Sequence, residues 1–308
     1  DVKGPRAEGF GSLHSAAWGG QLALMRRLLQ LRADVNAQNA NGMPPLHHLV
    51  RWSGHVEALE LLLNFHADPL ATDAAGRRPL DYAISSAFRG TGTVERLIRA
   101  RAPVTASALI EASEFGHARL VQHLLSEAPS SAWALRAAAS SGHREVCELL
   151  IGSKAPASGA AAAAAAWCHD ELVSFLLARG ARAYGLDAPA LRGCSGIVAL
   201  LLSARASPKT LDDQGRTPLH AAAVGGHAEV ASLLLAARAD VAVLEGKAGA
   251  QSLHFAAAAG HRSMVELLLE HRADVLAQSR LGDVERAAKH GGSAEVMDTV
   301  RRRIQETR

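Results

Sequence analysis

Aromatic residues make up 4% of this 308-residue chain, against 48% for hydrophobic residues as a whole. A core of bulky rings is therefore excluded, and elements must approach one another over small side chains. Only three cysteines occur, Cys147, Cys168 and Cys194, scattered singly along the sequence. That scatter argues against a disulfide framework and favours a reducing intracellular compartment, cytoplasm or nucleus. The chain opens at Asp1 without an initiator Met, so an organelle or a longer parent chain stays open as an alternative. Neither sign of charge dominates, with 33 basic against 30 acidic side chains and a formal net charge of +3. No run approaches the roughly 20 apolar residues that a membrane-spanning helix needs.

The chemistry of catalysis is missing too. There is no Gly-X-Ser-X-Gly elbow and no glycine-rich phosphate loop ending in Lys-Ser/Thr, and the fragments Gly9-Phe10-Gly11 and Gly90-Thr91-Gly92 do not follow strands. Neither Cys-X-X-Cys nor His-Glu-X-X-His spacing is present among the fifteen histidines. The expectation is a non-enzyme with no cofactor, no metal and no small-molecule substrate.

What the chain has is a period. Leu13, Leu46, Leu80, Leu109, Leu135, Ala161, Leu186, Leu219, Leu253 and Val284 each open a segment rich in small residues, at spacings of 25 to 34 residues. Most segments run into a break such as Gly54-His55, Gly116-His117, Gly142-His143, Gly226-His227 or Gly260-His261, and then into an apolar triplet such as Leu233-Leu234-Leu235. Glycine suits a sharp reversal because it adopts backbone angles that other residues resist. Each unit reads as helix, turn, helix, and the alanine run from Gly159 to Ala166 falls in register as the first helix of one of them. Units of this kind bury their apolar faces only by stacking, so 308 residues fit a single solenoid, and no Gly/Ser-rich or charged linker divides it.

The fullest copy contains Thr217-Pro218-Leu219-His220, with variants at Ser12-Leu13-His14, Pro44-Pro45-Leu46-His47 and Ser252-Leu253-His254. Together with the Gly-His breaks and the Ala-Asp-Val endings at Ala33-Asp34-Val35, Ala239-Asp240-Val241 and Ala273-Asp274-Val275, this resembles the ankyrin repeat family over about residues 8 to 303. The resemblance implies an all-α, ankyrin-type helical solenoid of about ten helix-turn-helix units, with hairpin loops projecting from one edge. It also implies that His14, His47, His220 and His254 hydrogen-bond the turn, and that His55, His117, His143, His169, His227 and His261 cap or pack at the break.

The array departs from the family in its middle. Units opening at Leu109, Leu135, Ala161 and Leu186 follow their predecessors by only 25 to 29 residues and lack the Asp-X-X-Gly turn seen at Asp73-Ala74-Ala75-Gly76 and Asp212-Asp213-Gln214-Gly215. The missing length is that of a hairpin. Full-length repeats are expected over about 8–104, short repeats with shortened loops in units 4–7 over about 105–209, and full-length repeats with a C-terminal cap over about 210–308. Connections such as Ala102-Pro103-Val104-Thr105 and Ala128-Pro129-Ser130-Ser131 place proline just before a helix, and Pro189 is tolerable only in a first helical turn.

In the family, contacts come from hairpin tips and from the two residues that end each first helix. Carried onto this chain, the helix-end residues include Trp18, Arg51, Trp52, Ser85-Ser86, Glu114, Phe115, Trp167, Leu191-Arg192 and Val224, and the hairpin tip at the fullest copy supplies Asp213, Gln214 and Arg216. Three of the four tryptophans fall in this set, and aromatic residues concentrate binding energy where they are buried at interfaces. A structural alternative has them filling gaps beside shortened hairpins or at the extra residue Ser53. The position after each second helix, usually glycine in the family, carries Arg32, His66, Arg101, Lys154, Arg205, Arg238 and Arg272, while Gly180 keeps the family residue.

Cations there complement helix C-termini. They would also form a row for an anionic surface, a reading that the small net charge and the interleaved acids disfavour. The expectation is a scaffold or adaptor that binds another protein through its concave face. A subunit of a large assembly is one alternative, and a binder of nucleic acid or an anionic membrane through the arginine row is another.

Overall fold

Small side chains at i, i+3 and i+4 set the inner helices. Leu135, Ala138 and Ala139, or Leu219, Ala222 and Ala223, are fully buried on one stripe, while the outer helices bury Leu120, Val121 and Leu124 or Ile197, Val198 and Leu201 in an i, i+1, i+4 pattern. In the leucine triplets the middle residue is the one wholly enclosed, as at Leu62, Leu201, Leu234 and Leu268. Each such leucine contributes about 2 kcal/mol through removal from water.

The computed structural model describes residues 11–85, 91–100, 102, 105–126, 129–280 and 282–307. Gly9, Phe10, Ser86, Gly90, Arg101, Pro103, Val104 and Ala128, named above, lie outside the described residues, as does the start of the first repeat. Two compact units make up the chain, Asp1–Pro156 and Ala157–Arg308.

The first unit pairs α1 (Ser12–Trp18) with α2 (Leu22–Gln30), α3 (Pro45–His48) with α4 (Val56–Asn64), α5 (Pro79–Ser85) with α6 (Thr91–Arg99), α7 (Ala106–Glu114) with α8 (Ala118–Leu124), and α9 (Ala132–Ser140) with α10 (Arg144–Gly152). The second pairs α11 (Ala160–Ala166) with α12 (Asp170–Ala178), α13 (Asp187–Arg192) with α14 (Ser195–Ser203), α15 (Pro218–Gly225) with α16 (Ala228–Ala236), α17 (Ser252–Ala258) with α18 (Arg262–Glu270), and α19 (Val284–Gly291) with α20 (Ala294–Thr307). Within each unit inner helix packs on inner and outer on outer, from α1 to α9 and α2 to α10, and again from α11 to α19 and α12 to α20. Each unit is thus an all-α stack of helix pairs, as the repeats imply.

Local sequence explains the exceptions. The extra residue at Ser53 is absorbed by a π-turn, Leu49–Ser53, closed by the Gly54 N–H donating to the Leu49 carbonyl at 2.8 Å. Pro189 sits in the first turn of α13, where no helical donor is lost. The alanine run forms α11, and Gly185 must stay glycine because a Cβ there would lie 2.9 Å from that of Ala162.

Three hairpins are organised by an Asx residue, and the one at Glu245 by a glutamate that accepts from the Lys247 and Ala248 amides. Asn39, Asp73 and Asp212 each accept two backbone N–H groups through Oδ1, from Asn41 and Met43, Ala75 and Arg77, and Gln214 and Arg216, all at 2.8 to 2.9 Å. The last hairpin includes the paired strands β1 (Gln278–Ser279) and β2 (Gly282–Asp283). No such turn lies between α10 and α11 or between α12 and α13.

Candidate partner-binding surface

The helix-end residues are held in place by the next repeat. Gly116, Gly193 and Gly226 have φ of +75°, +78° and +74°, and an added Cβ at each would lie 2.5 or 2.6 Å from the imidazole of His143, His227 or His261 respectively. Those rings donate through Nε2 to the carbonyls of Glu114, Leu191 and Val224 at 2.9, 3.0 and 3.1 Å. A glycine therefore makes room for a histidine one repeat on. That histidine clamps the backbone two residues before the glycine, where the side chains turn outward.

In the first unit Trp18 is 58% exposed and Trp52 is 43% exposed, so neither serves as a gap filler. The Arg51 guanidinium lies 4.9 Å from the Trp52 ring and 5.1 Å from that of Tyr82, and the Arg77 guanidinium lies 4.6 Å from the Tyr82 ring. Tyr82 donates to Asp73 Oδ2 at 2.6 Å. Burial works to raise the Asp73 carboxyl, but the Tyr82 hydroxyl, the Arg77 and Ala75 amides and the Arg77 cation together hold it below the usual range. Two repeats further on, Glu114 and Phe115 are exposed at the end of α7, with the Phe115 ring tilted by 31° to that of His117 at 6.1 Å. Close by, burial and the charges of Asp81 and Glu114 push the Glu111 carboxyl up. The first unit thus presents a cation-aromatic cluster and a separate acidic corner.

In the second unit Trp167 is 55% exposed with the Arg192 guanidinium 4.3 Å from its ring. Asp213 and Gln214 are exposed at the hairpin tip, whereas Arg216 is tied to Asp212 at 2.8 Å and supports the hairpin neck. These contacts bring Arg51 to Trp52 in the first unit and Arg192 to Trp167 in the second. Sequence reasoning missed Tyr82, whose ring is shared by two arginines, and Trp133. The latter, in the first turn of α9, is 64% exposed and carries Arg136 at 4.8 Å. The arginine three residues after it on a helix was the available signal.

One expectation is overturned. Cys168 and Cys194 form a disulfide, with Cα atoms 6.0 Å apart, so the cysteines are not three isolated thiols and the argument from them for a reducing compartment falls. The reason is the solenoid itself. Cys168 occupies the break-glycine position, with φ +61°, and Cys194 the break-histidine position one short repeat later, so a separation of 26 residues places them side by side. Holding a side chain in that left-handed conformation costs about 1 kcal/mol. Cys147 alone is free, buried in α10, its thiol pushed up to about 12 by burial and by Glu148.

The cations that follow the outer helices share the same unusual backbone. Arg32, His66, Lys154, Arg205, Arg238 and Arg272 all have φ between +61° and +67°, and all are exposed. Among the described residues no three His, Cys, Asp or Glu side chains are grouped to hold a metal, and no helix is long and apolar enough to cross a membrane. A cavity of about 450 Å³ between α17, α19 and the last hairpin has Phe255, Ala258, Ala287, Arg280, Arg286 and His290 in its lining.

Sequence models described as ankyrin repeats match residues 188–279 in one case and residues 13–63 and 48–98 in another. No curated protein matches the chain. The matched stretches flank residues 99–187, most of the hairpinless repeats, whose helices pair in the same way as the rest. On these matches and the stacked helix pairs, the chain belongs to the ankyrin repeat family.

Proposed function

We propose that this chain is a non-enzymatic scaffold or adaptor that grips a partner protein through the ends of its inner helices. Ankyrin repeats are in general protein-protein interaction modules, and the finer reading rests on one observation. Trp52 and Trp167 are exposed while stacked by Arg51 and Arg192, which pre-orders large flat contact surfaces, and the His227 clamp holds the backbone at Leu191 beside Arg192. Tryptophan and arginine are the residues whose truncation most often costs an interface 2 kcal/mol or more. Trp18, Glu114 and Phe115 extend the surface in the first unit, and Asp213 and Gln214 in the second.

Affinity capture with the full chain from its native source, compared with Trp18→Ala/Trp52→Ala and Trp167→Ala/Arg192→Ala forms, tests this. Loss of a specific co-eluting protein in at least one form is expected, and unchanged recovery in both removes the surface. A second reading, contact with an anionic surface of nucleic acid or membrane, draws on the six left-handed cations. It predicts binding that falls steeply with salt.

A further inference from the structure

Breaks between neighbouring repeats use a matched pair of residues, glycine on one repeat and histidine on the next, as at Gly116 with His143, Gly193 with His227 and Gly226 with His261. The two positions depend on each other. A side chain at the glycine position would collide with the ring, so Cys168 and a histidine at position 194 exclude one another. Here both positions have changed together. A covalent link replaces the hydrogen-bonded clamp, and the carbonyl of Ala166, equivalent to those of Glu114, Leu191 and Val224, receives no imidazole.

The link is also placed where it can be cut. Cys168 and Cys194 are half-buried at the outward end of their helix pairs, directly after Trp167 and Gly193, whereas Cys147 is wholly enclosed. We propose that Cys168 and Cys194 form a reversible thiol-disulfide site that sets how Trp167 and Arg192 are presented. A low-molecular-weight thiol such as glutathione, as its thiolate, attacks one sulfur and forms a mixed disulfide. The displaced cysteine thiolate takes up a proton. A second thiol then attacks the mixed disulfide, leaving glutathione disulfide and the second cysteine thiol, so two external thiols are oxidised as one protein disulfide is reduced. Reduction leaves this break with neither the covalent link nor the histidine clamp, and the Arg192 side chain is released from its fixed position over Trp167. The consequence for docking rests on the interface reading above, while the thiol chemistry and the change at Trp167 do not.

The test uses the full chain with Trp167 as its sole tryptophan, made by Trp18→Phe, Trp52→Phe and Trp133→Phe at exposed sites. It is equilibrated across glutathione buffers, acid-quenched and alkylated in denaturant, and Trp167 is followed by iodide quenching. One alkylated thiol is expected at the oxidising end and three at the reducing end, with quenching rising over the same interval. A Cys168→Ser/Cys194→Ser chain should show the high quenching of the reduced form in every buffer. A Cys168→Gly/Cys194→His chain, which restores the pair used at the other breaks, should show the low value in every buffer.

Three alkylated thiols under all conditions, or one under all conditions, would overturn the proposal. So would identical quenching at both ends, or a Gly/His form as readily quenched as the Ser/Ser form. Full-strength partner capture by the Trp167→Ala/Arg192→Ala chain would remove the consequence for docking alone, because the alkylation and quenching results need no partner.

Discussion

The hairpin-bearing repeats and the short ones hold together by different means. Where a hairpin is present, the anchor histidine reaches into the next repeat: His14 donates to the Met43 carbonyl at 3.0 Å, His47 to Arg77 at 3.1 Å and His220 to Ala250 at 3.3 Å. Adjacent hairpins are joined as well, by Ala74 N–H to the Asn41 carbonyl in the first unit and by Gly246 N–H to Gln214 and Arg280 N–H to Ala248 in the second. The short repeats have Ile110, Arg136, Ala162 and Asp187 where the anchor histidine would stand. Where the next repeat has lost its hairpin, as after Ile110, Arg136 and Ala162, the carbonyl that the histidine serves is lost as well; Asp187, which precedes the hairpin at Asp212, is the exception. What the short repeats do have includes small-residue packing, the His143 clamp on Glu114, the His227 clamp on Leu191 and the Cys168–Cys194 link.

Acid should expose this difference most strongly. Burial lowers the pKa of His14, His47, His220 and His254, and His48 falls to about 4 through burial and then the charges of His14, His47 and Arg51. The bonding agrees: His48 Nε2 accepts from the Asn39 amide, whose oxygen is already committed to two backbone N–H groups, so a proton there has no acceptor. A group with a depressed folded pKa contributes fully above its unfolded value and loses that contribution as pH falls. Stability of the hairpin-bearing repeats should therefore decline from about pH 6.5 downward, with His48 alone accounting for about 3 kcal/mol by pH 4. In the short repeats His117 is the one histidine among the described residues with a resolved lowering. Hydrogen exchange across pH 7 to 4 should show amide protection lost first around Asn39–Val50 and Thr217–Ala223. Uniform loss along the chain would erase the contrast.

A comparable effect, confined to the second unit's short repeats, is expected at the disulfide. Cys168→Ser should lower stability to urea by about 3 kcal/mol under oxidising conditions, the scale for a cross-link closing a loop of this size. In excess dithiothreitol the same substitution should change little. An equal loss in both conditions would mean that packing of the side chain, and not the link, is what matters.

Smaller again is the hairpin neck. Asp212 accepts two backbone N–H groups and pairs with Arg216, so Asp212→Ala leaves donors without their acceptor and should cost about 1.5 kcal/mol. Asp73→Ala should cost more, because it also strands the Tyr82 hydroxyl and loosens the ring shared by Arg51 and Arg77. Urea melts of the two variants compare them directly, and an equal loss would mean that Tyr82 adds nothing.

The period and the spacing of its anchors made the paired helices and the missing hairpins legible, because stacking and turn chemistry are both written locally in Leu, Ala, Asp and Gly. Solvent-facing Trp18, Trp52 and Trp167 were legible from their place before the break, whereas Trp133, in the first turn of α9, was not. What sequence alone concealed was contact between particular residues of neighbouring repeats. Cys168 with Cys194 is one instance. Another is Arg51 over Tyr82, where two consecutive repeats contribute one cluster and neither residue signals it alone. The π-turn at Ser53 was likewise readable only as an insertion, since nothing local decides whether an extra residue bulges a helix or lengthens a loop.

The smallest effect bears on the row of cations after the outer helices. Gly180 holds this turn with φ +84°, whereas Arg238 holds it with φ +66°, where an L side chain is disfavoured by about 1 kcal/mol. Arginine recovers some of that through the helix dipole, a few tenths of a kcal/mol for an exposed charge, and through the smaller conformational freedom of its unfolded backbone relative to glycine. The terms nearly cancel, so Arg238→Gly should raise stability by no more than about 0.5 kcal/mol. A gain in the urea midpoint, repeated at Arg205 and Arg272, would mean that these cations persist at a local loss and therefore serve contacts outside the fold. A drop would mean that the dipole alone explains them, and the anionic-surface reading would lose the observation on which it stands.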